Sequence, residues 1–264
     1  MDVHSFYAVI ADRSQFILQL RRTRLGTLQI RANSKLSTTE NFKQDDRQPR
    51  RYSSEESRRL LIEATLESIV DVGFSSTSVS EIVARANLSR GMVHLYFENK
   101  DSLLVAAARH AAEVYYRNLS EQLATAGTRP QEIIETVVLS DLGEIILNER
   151  TVKIWFAFRG EAHANKAITQ FSDTRDDQLR DMIFNAFVEI ATEQGEPEPA
   201  RFARDTTHGT LALLEGMWTD YLLHSDSFSR NSAARIIFRF LSGVYPQHFN
   251  LDGAALKQVT PCSV

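Results

Sequence analysis

Two short runs of the same kind, Ser53-Ser54-Glu55-Glu56 and Ser78-Val79-Ser80-Glu81, limit this chain's folding more than any other feature. Each reads as a helix start. The serine hydroxyl accepts from the amide three residues on, and the glutamate there reaches back to the serine amide. Two of the orphan donors of a helix N-terminus are thereby satisfied. The first start launches an apolar stripe of Leu60, Leu61, Ala64, Ile69 and Val70, which Gly73 ends by supplying the backbone freedom of a C-terminal cap. The second opens a piece that turns Val79, Ile82, Val83 and Ala86 to one side. Helices this short are marginal alone in water and stand only by packing on neighbours.

The residues after the second piece say what it packs against. Asn87-Leu88 breaks the pattern, and Asn tolerates positive φ better than any residue but Gly. Leu88 is placed to plug the space under the turn, Ser89 to cap a second short helix, and Ala84 and Ala86 to let the two helices approach. Gly91 lowers the propensity of that helix by about 1 kcal/mol, a loss that makes sense where a partner must come close. Two helices joined this way, the N-terminal end of the second entering a major groove, form the helix-turn-helix docking mode. On that geometry Ser89, Arg90, Gly91, Met92 and His94 face base edges and phosphates. Arg90 either reads a guanine bidentately or clasps a phosphate, and the sequence leaves both open. Thr77 and Ser78 stand at a helix N-terminus, where amides and hydroxyls suit a phosphate, and Arg50-Arg51 add positive charge nearby. Phe97 reads as core.

Beyond Phe97, helical patterns run from Lys100 to about Ala126, Pro130 to Leu147, Arg150 to Ala164, Lys166 to Glu193, Ala200 to His224 and Ser229 to Ser242. Gly127 with Pro130, and Pro197 with Pro199, mark joins. Strand-period segments are missing, so the predicted class is all-α. Residues 1–50 read as a poorly ordered extension or linker, because Asn33 to Pro49 is polar, mixed in charge and without periodicity. The predicted units are that extension, a helix-turn-helix domain over 51–100, a larger helical domain over 101–249 and a tail over 250–264.

Composition bounds the rest. A 43% hydrophobic and 24% charged chain is that of a globular protein, and a net charge of -4 is compatible with DNA binding through a local basic face. The lone cysteine, Cys262, permits no intrachain disulfide and no thiolate metal cluster. No apolar run approaches the roughly 18 residues of a membrane span, and no signal-peptide pattern is present, so a cytoplasmic protein without membrane contact is expected. Seven scattered histidines without a His-x-x-x-His pair, and no Gly-rich phosphate loop, argue against an enzyme, a metal site or a cofactor. A helical adaptor that binds no DNA is the competing class.

The stretch from Arg58 to Leu104 resembles the DNA-binding domain of the TetR family of bacterial repressors. Ile62, Ala64, Gly73, Val79, Ile82, Ala86, Leu88, Ser89, Gly91, Tyr96, Phe97, Lys100 and Leu103 carry the resemblance. Asn87 departs from it where the family usually has Gly, and His94 where Tyr is common. The resemblance implies that Tyr96 and Lys100 contact the DNA backbone. It also implies a homodimer on a pseudo-palindromic operator, formed through the last two long helices, and a repressor whose larger domain binds a small-molecule effector. It makes the helix from Lys100 to Ala126 the natural lever between the two domains.

Within that family, Lys153-Ile-Trp155-Phe-Ala-Phe158 and Leu213-Leu-Glu-Gly216-Met-Trp218 resemble the choline-responsive repressors, with Arg159 departing where an aromatic residue is common. Aromatic faces with a carboxylate form a cage for a quaternary ammonium, each ring contributing roughly 0.5–2 kcal/mol. Trp155, Phe158, Glu161, Trp218 and Tyr221 are the candidate cage, and ordinary helix-bundle core is the alternative reading of the same aromatics. The implied function is control of choline, betaine or related small-amine genes. A regulator of efflux or catabolism with an unrelated effector is the runner-up.

Overall fold

The computed structural model describes residues 52–249, apart from the side chains of 170 and 172–178. The extension over 1–50, the Arg50-Arg51 pair and the tail over 250–264 lie outside the described residues. Nine helices follow one another among the described residues: α1 Ser54–Val72, α2 Val79–Ala86, α3 Arg90–Tyr96, α4 Lys100–Leu123, α5 Pro130–Asp141, α6 Glu149–Ala162, α7 Lys166–Glu193, α8 Pro199–His224 and α9 Arg230–Val244. No strand occurs among the described residues, and no helix there is long and apolar enough to cross a membrane.

The predicted starts form, with a correction. Ser53 accepts from the Glu56 amide at 3.1 Å and Ser78 from the Glu81 amide at 3.2 Å. The glutamate half of the second box is diverted. Glu81 takes the Arg85 Nε proton at 2.8 Å while Arg85 Nη1 reaches Asp71 at 2.6 Å, and these bonds, Asp71 first, hold the guanidinium pKa above its ordinary value. The complete reciprocal box is elsewhere, at Asn99 with Ser102 ahead of α4, while ahead of α5 Glu132 accepts both the Arg129 amide at 3.0 Å and Arg129 Nη2 at 2.7 Å. Gly73 ends α1 at φ 84, its amide donating to Ile69 O.

A second correction concerns α5, expected to reach Leu147 but ending at Asp141. Leu142, Ile146 and Leu147 remain buried, so the apolar spacing continues where the helix does not. The chain turns at Gly143, whose carbonyl takes the Ile146 and Leu147 amides. Arg230 of α9 then donates to the Leu142 and Leu147 carbonyls at 2.6 and 2.8 Å, satisfying acceptors that a continuing helix would have paired internally.

Two cores result. The first gathers Leu61, Ile62 and Leu66 of α1, Ile82 and Val83 of α2, Val93 of α3, Phe97 and the first turns of α4, with Ile154 and Phe158 of α6 and Ile168 and Phe171 of α7 closing it. The second joins the far half of α4 to α5, α7, α8 and α9 around Leu119, Ile134, Val137, Ile183, Phe187, Trp218 and Ile237. Each such apolar side chain contributes roughly 1.5–3 kcal/mol by burial, before the entropy of ordering it. α4 belongs to both cores, and so does α7.

Candidate nucleic-acid interface and effector cleft

The turn between α2 and α3 rests on Asn87, the one non-glycine residue at positive φ among the described residues (φ 53, ψ 43). Its amide donates to Ala84 O at 3.3 Å and the next, Leu88, to Val83 O at 3.0 Å, while Leu88 packs half-buried on the first core. Val93, 1% exposed, anchors α3 from beneath. Anchoring that face leaves Ser89, Arg90, Gly91, His94 and Leu95 exposed together on the other, with Ser78 and Ser80 on the adjacent end of α2. The Arg90 guanidinium donates to the Ser80 hydroxyl, which holds it on this surface. Lys100 and Tyr96 are half-buried at its edge, Tyr96 resting on the first core.

Four expectations for this face need correcting. Thr77 is 1% exposed; its hydroxyl donates to Gly73 O at 2.9 Å and lies 3.1 Å from Ser68 Oγ, so it braces the α1–α2 turn and cannot reach a phosphate. Ser89 occupies the N-cap of α3 without a capping hydrogen bond from its side chain, which leaves the hydroxyl available outward. Met92 is half-buried against the core, and Ala84 is exposed rather than at the helix contact. One residue escaped the sequence reading: Leu95, 68% exposed on α3. Its signal was present, an apolar side chain off the Val93 phase on a helix of seven residues.

The second site is a small cleft, with about 40 Å³ of enclosed space and a mouth open to solvent. Ala108, Ala111 and Ala112 of α4 leave the gap by their small size. Around it stand Tyr115 of α4, Thr151, Ile154, Trp155 and Phe158 of α6, Phe171 of α7 and Trp218 of α8. Trp155 meets Trp218 edge-on at 6.0 Å, and Tyr115 meets Trp218 at 6.4 Å. Behind those rings lies a fully buried carboxylate. Asp141 accepts the Tyr115 hydroxyl at 2.8 Å and Trp218 Nε1 at 2.8 Å.

Trp155, Phe158 and Trp218 therefore meet at one cleft, whereas Glu161 and Tyr221 are not among its lining residues. Tyr221, one turn past Trp218, packs edge-on against Phe228 at 5.3 Å and beneath the Arg230 guanidinium at 5.2 Å. Tyr115, Phe171 and Asp141 went unread. Asp141 was the legible one, because it continues the buried phase of Ile134, Val137 and Val138, where an acid has no business without donors. Arg159 lies over the Trp155 ring at 5.9 Å with its charge met by Glu215 at 3.2 Å.

Residues 61–107 match the family model of bacterial regulatory proteins, tetR family, and residues 130–246 match the C-terminal domain of BetI-type transcriptional repressors. The chain is a TetR-family regulator. Among curated relatives of this regulator is the HTH-type transcriptional regulator BetI of Burkholderia thailandensis, 27% identical over 68% of this chain and 88% of the relative. The protein of the same name from Paraburkholderia phymatum is 28% identical over the same shares. Among solved structures, a transcriptional regulator from Pseudomonas aeruginosa superposes with TM-score 0.67 at 24% identity, over 75% of this chain and 95% of the other. One from Saccharomonospora viridis, solved in complex with choline, superposes with TM-score 0.61 at 18% identity over 71% and 96%. The TetR-family relatives are transcriptional regulators and not enzymes, and a DNA-binding repressor is the role they support for this one.

Gly91 carries a prediction about that role. A Cβ built there meets only Ser89 Oγ at 3.7 Å, ordinary contact, so nothing inside this regulator requires glycine. Gly91→Ala is therefore expected to raise thermal stability by up to about 1 kcal/mol while weakening DNA binding. Melting curves and anisotropy titrations on one preparation check it. A variant binding DNA as tightly as wild type would remove Gly91 from the interface.

Proposed function

We propose that this repressor holds operator DNA through Ser78, Ser89, Arg90, Gly91, His94, Tyr96 and Lys100, and releases it when a quaternary ammonium of the choline type fills the cleft. In this reading residues 51–100 form the DNA-reading domain, 101–249 the effector and dimerisation domain, and the protein works in the cytoplasm on choline, betaine or related amine genes. The observation that carries it is the wall of Tyr115, Trp155, Phe158, Phe171 and Trp218 backed by Asp141. Ring faces attract an onium ion through their quadrupoles, and an N–H or O–H drawn toward a carboxylate enriches those of Tyr115 and Trp218. The choline-bound relative adds support.

A homodimer completes the proposal. A single α3 spans few base pairs, so specificity calls for two half-sites a helical turn apart, and a pseudo-palindromic operator. Leu223 and Ile236, 65% and 48% exposed on α8 and α9, suit a seam with a second copy. A second reading, a neutral apolar effector in an efflux or catabolic pathway, draws on one observation: among the described residues no carboxylate lines the cleft itself.

Titration calorimetry with choline, betaine aldehyde and 3,3-dimethylbutan-1-ol, the uncharged carbon isostere of choline, separates the two readings. Choline or its aldehyde is expected to bind in the millimolar range or tighter, and the isostere at least tenfold more weakly, a difference of about 1.4 kcal/mol. Bound cation is expected to lower operator affinity, and the same sample to sediment as a dimer. Equal affinity for isostere and choline would favour the neutral effector; no heat from either cation would sink the proposal.

A further inference from the structure

Helix α6 serves the cleft and the DNA-reading domain at once. It turns Ile154, Trp155 and Phe158 toward the cleft. Just before them it presents Arg150, whose Nε donates to Glu67 Oε1 at 2.7 Å and whose Nη2 donates to Glu63 Oε2 at 2.9 Å, both on α1. The other Glu63 oxygen lies 2.8 Å from His110 Nε2 on α4. Further along α6, the Phe158 ring meets Phe74, in the turn after α1, edge-on at 5.8 Å. So α6 grips the reading domain by a charged fork at its start and by a ring two turns on.

We infer that Arg150 is the positioning residue that couples occupancy of the cleft to the attitude of α3. A guanidinium bridging two carboxylates fixes direction as well as distance, which a point charge on a flexible stem does not. Glu63 and Glu67 sit on the helix whose opposite side shares a close-packed core with α2 and α3, and such a core moves as a body rather than deforming. A shift of α6 as the cleft fills is therefore passed through α1 to the recognition helix, a route that does not need α4 as the sole lever. The side chains of Arg150, Glu63 and Glu67 are 41%, 37% and 47% exposed. Ion pairs that open to solvent add little to fold stability, so the fork can be removed without unfolding the protein.

The ligand half of the inference rests on the proposed effector site; the DNA half does not, because coupling is reciprocal and DNA must alter the cleft by the same factor. The test uses full-length wild type, Arg150→Gln, Arg150→Lys and Glu67→Gln. It uses a duplex selected from random DNA, with choline as the probe. In wild type, DNA is expected to change amide exchange over residues 149–158, and saturating choline to change DNA affinity by roughly 5- to 150-fold. In Arg150→Gln both responses should fall below twofold, while choline affinity without DNA and DNA affinity without choline each stay within about threefold. Arg150→Lys should be intermediate. If Arg150→Gln fails to fold or loses DNA affinity outright, Glu67→Gln decides by the same readouts. Exchange changes that persist in the variants would overturn the inference. A wild type that ignores choline yet transmits the DNA signal to α6 only with Arg150 intact would overturn the effector and leave the coupling standing.

Discussion

Asp141→Ala is expected to lower the melting temperature by on the order of 10 °C and to abolish binding of a cationic effector. The stability loss follows from taking the acceptor away from two buried donors, the Tyr115 hydroxyl and Trp218 Nε1, each at 2.8 Å. A buried donor deprived of its partner costs about 1–3 kcal/mol, so the pair costs about 2–6 kcal/mol, and a domain of this size loses roughly 2–4 °C per kcal/mol. Asp141→Asn separates structure from charge. Its amide oxygen can face the indole N–H, which only donates, and its NH2 the Tyr115 hydroxyl, which can turn to accept. That variant is expected to melt within a few degrees of wild type and yet to bind choline at least tenfold more weakly. Scanning calorimetry and titration on the same preparations provide the check. An Asn variant with wild-type affinity would mean the carboxylate matters only as a strut.

Arg90→Ala is expected to weaken operator binding by about 1–3 kcal/mol per half-site, and so by roughly 30- to 10⁴-fold for a dimer holding two. Arg90 is pre-placed by its bond to Ser80 on α2, so little side-chain freedom is left to lose on docking. Anisotropy titrations over a range of salt distinguish its two possible partners. If Arg90 reads guanine, the loss is confined to the operator, and random DNA binds as before. If it clasps a phosphate, affinity falls on every sequence and the salt slope drops by about one unit per arginine. Wild-type affinity in the variant would exclude both. Neither outcome should disturb the fold, since the Arg90 side chain packs into no core.

What could be read in advance follows the range of the interaction. The α2–α3 turn was legible because its chemistry is local: Asn87 at positive φ, Leu88 beneath and Val93 in phase are all near neighbours in the chain. Thr77 misled because its partner comes from Ser68 on the preceding helix, and a residue beside a helix N-terminus looks alike whether it faces solvent or a neighbour. The same limit applies to the proposed cage. Trp155, Phe158 and Trp218 stood out by type, but which carboxylate serves them depends on where α5 ends, and apolar spacing through Leu147 hid the turn at Gly143. Glu161 was close in sequence and Asp141 close in space. Arg150 was invisible for the same reason, its carboxylates lying far back along the chain.

The double membership of Phe158, Ile154 and Phe171 bears on how a sensor of the proposed kind can diversify. These side chains line the cleft and also complete the core beneath the recognition helix. A substitution there that admits a new ligand also loosens the element that touches DNA, so altered taste and lost grip arrive together. Ala111, Thr151 and Trp155 line the cleft without being buried members of either core. Drift toward other small molecules has its freest path through these three positions, and a library built to retune the sensor would begin with them.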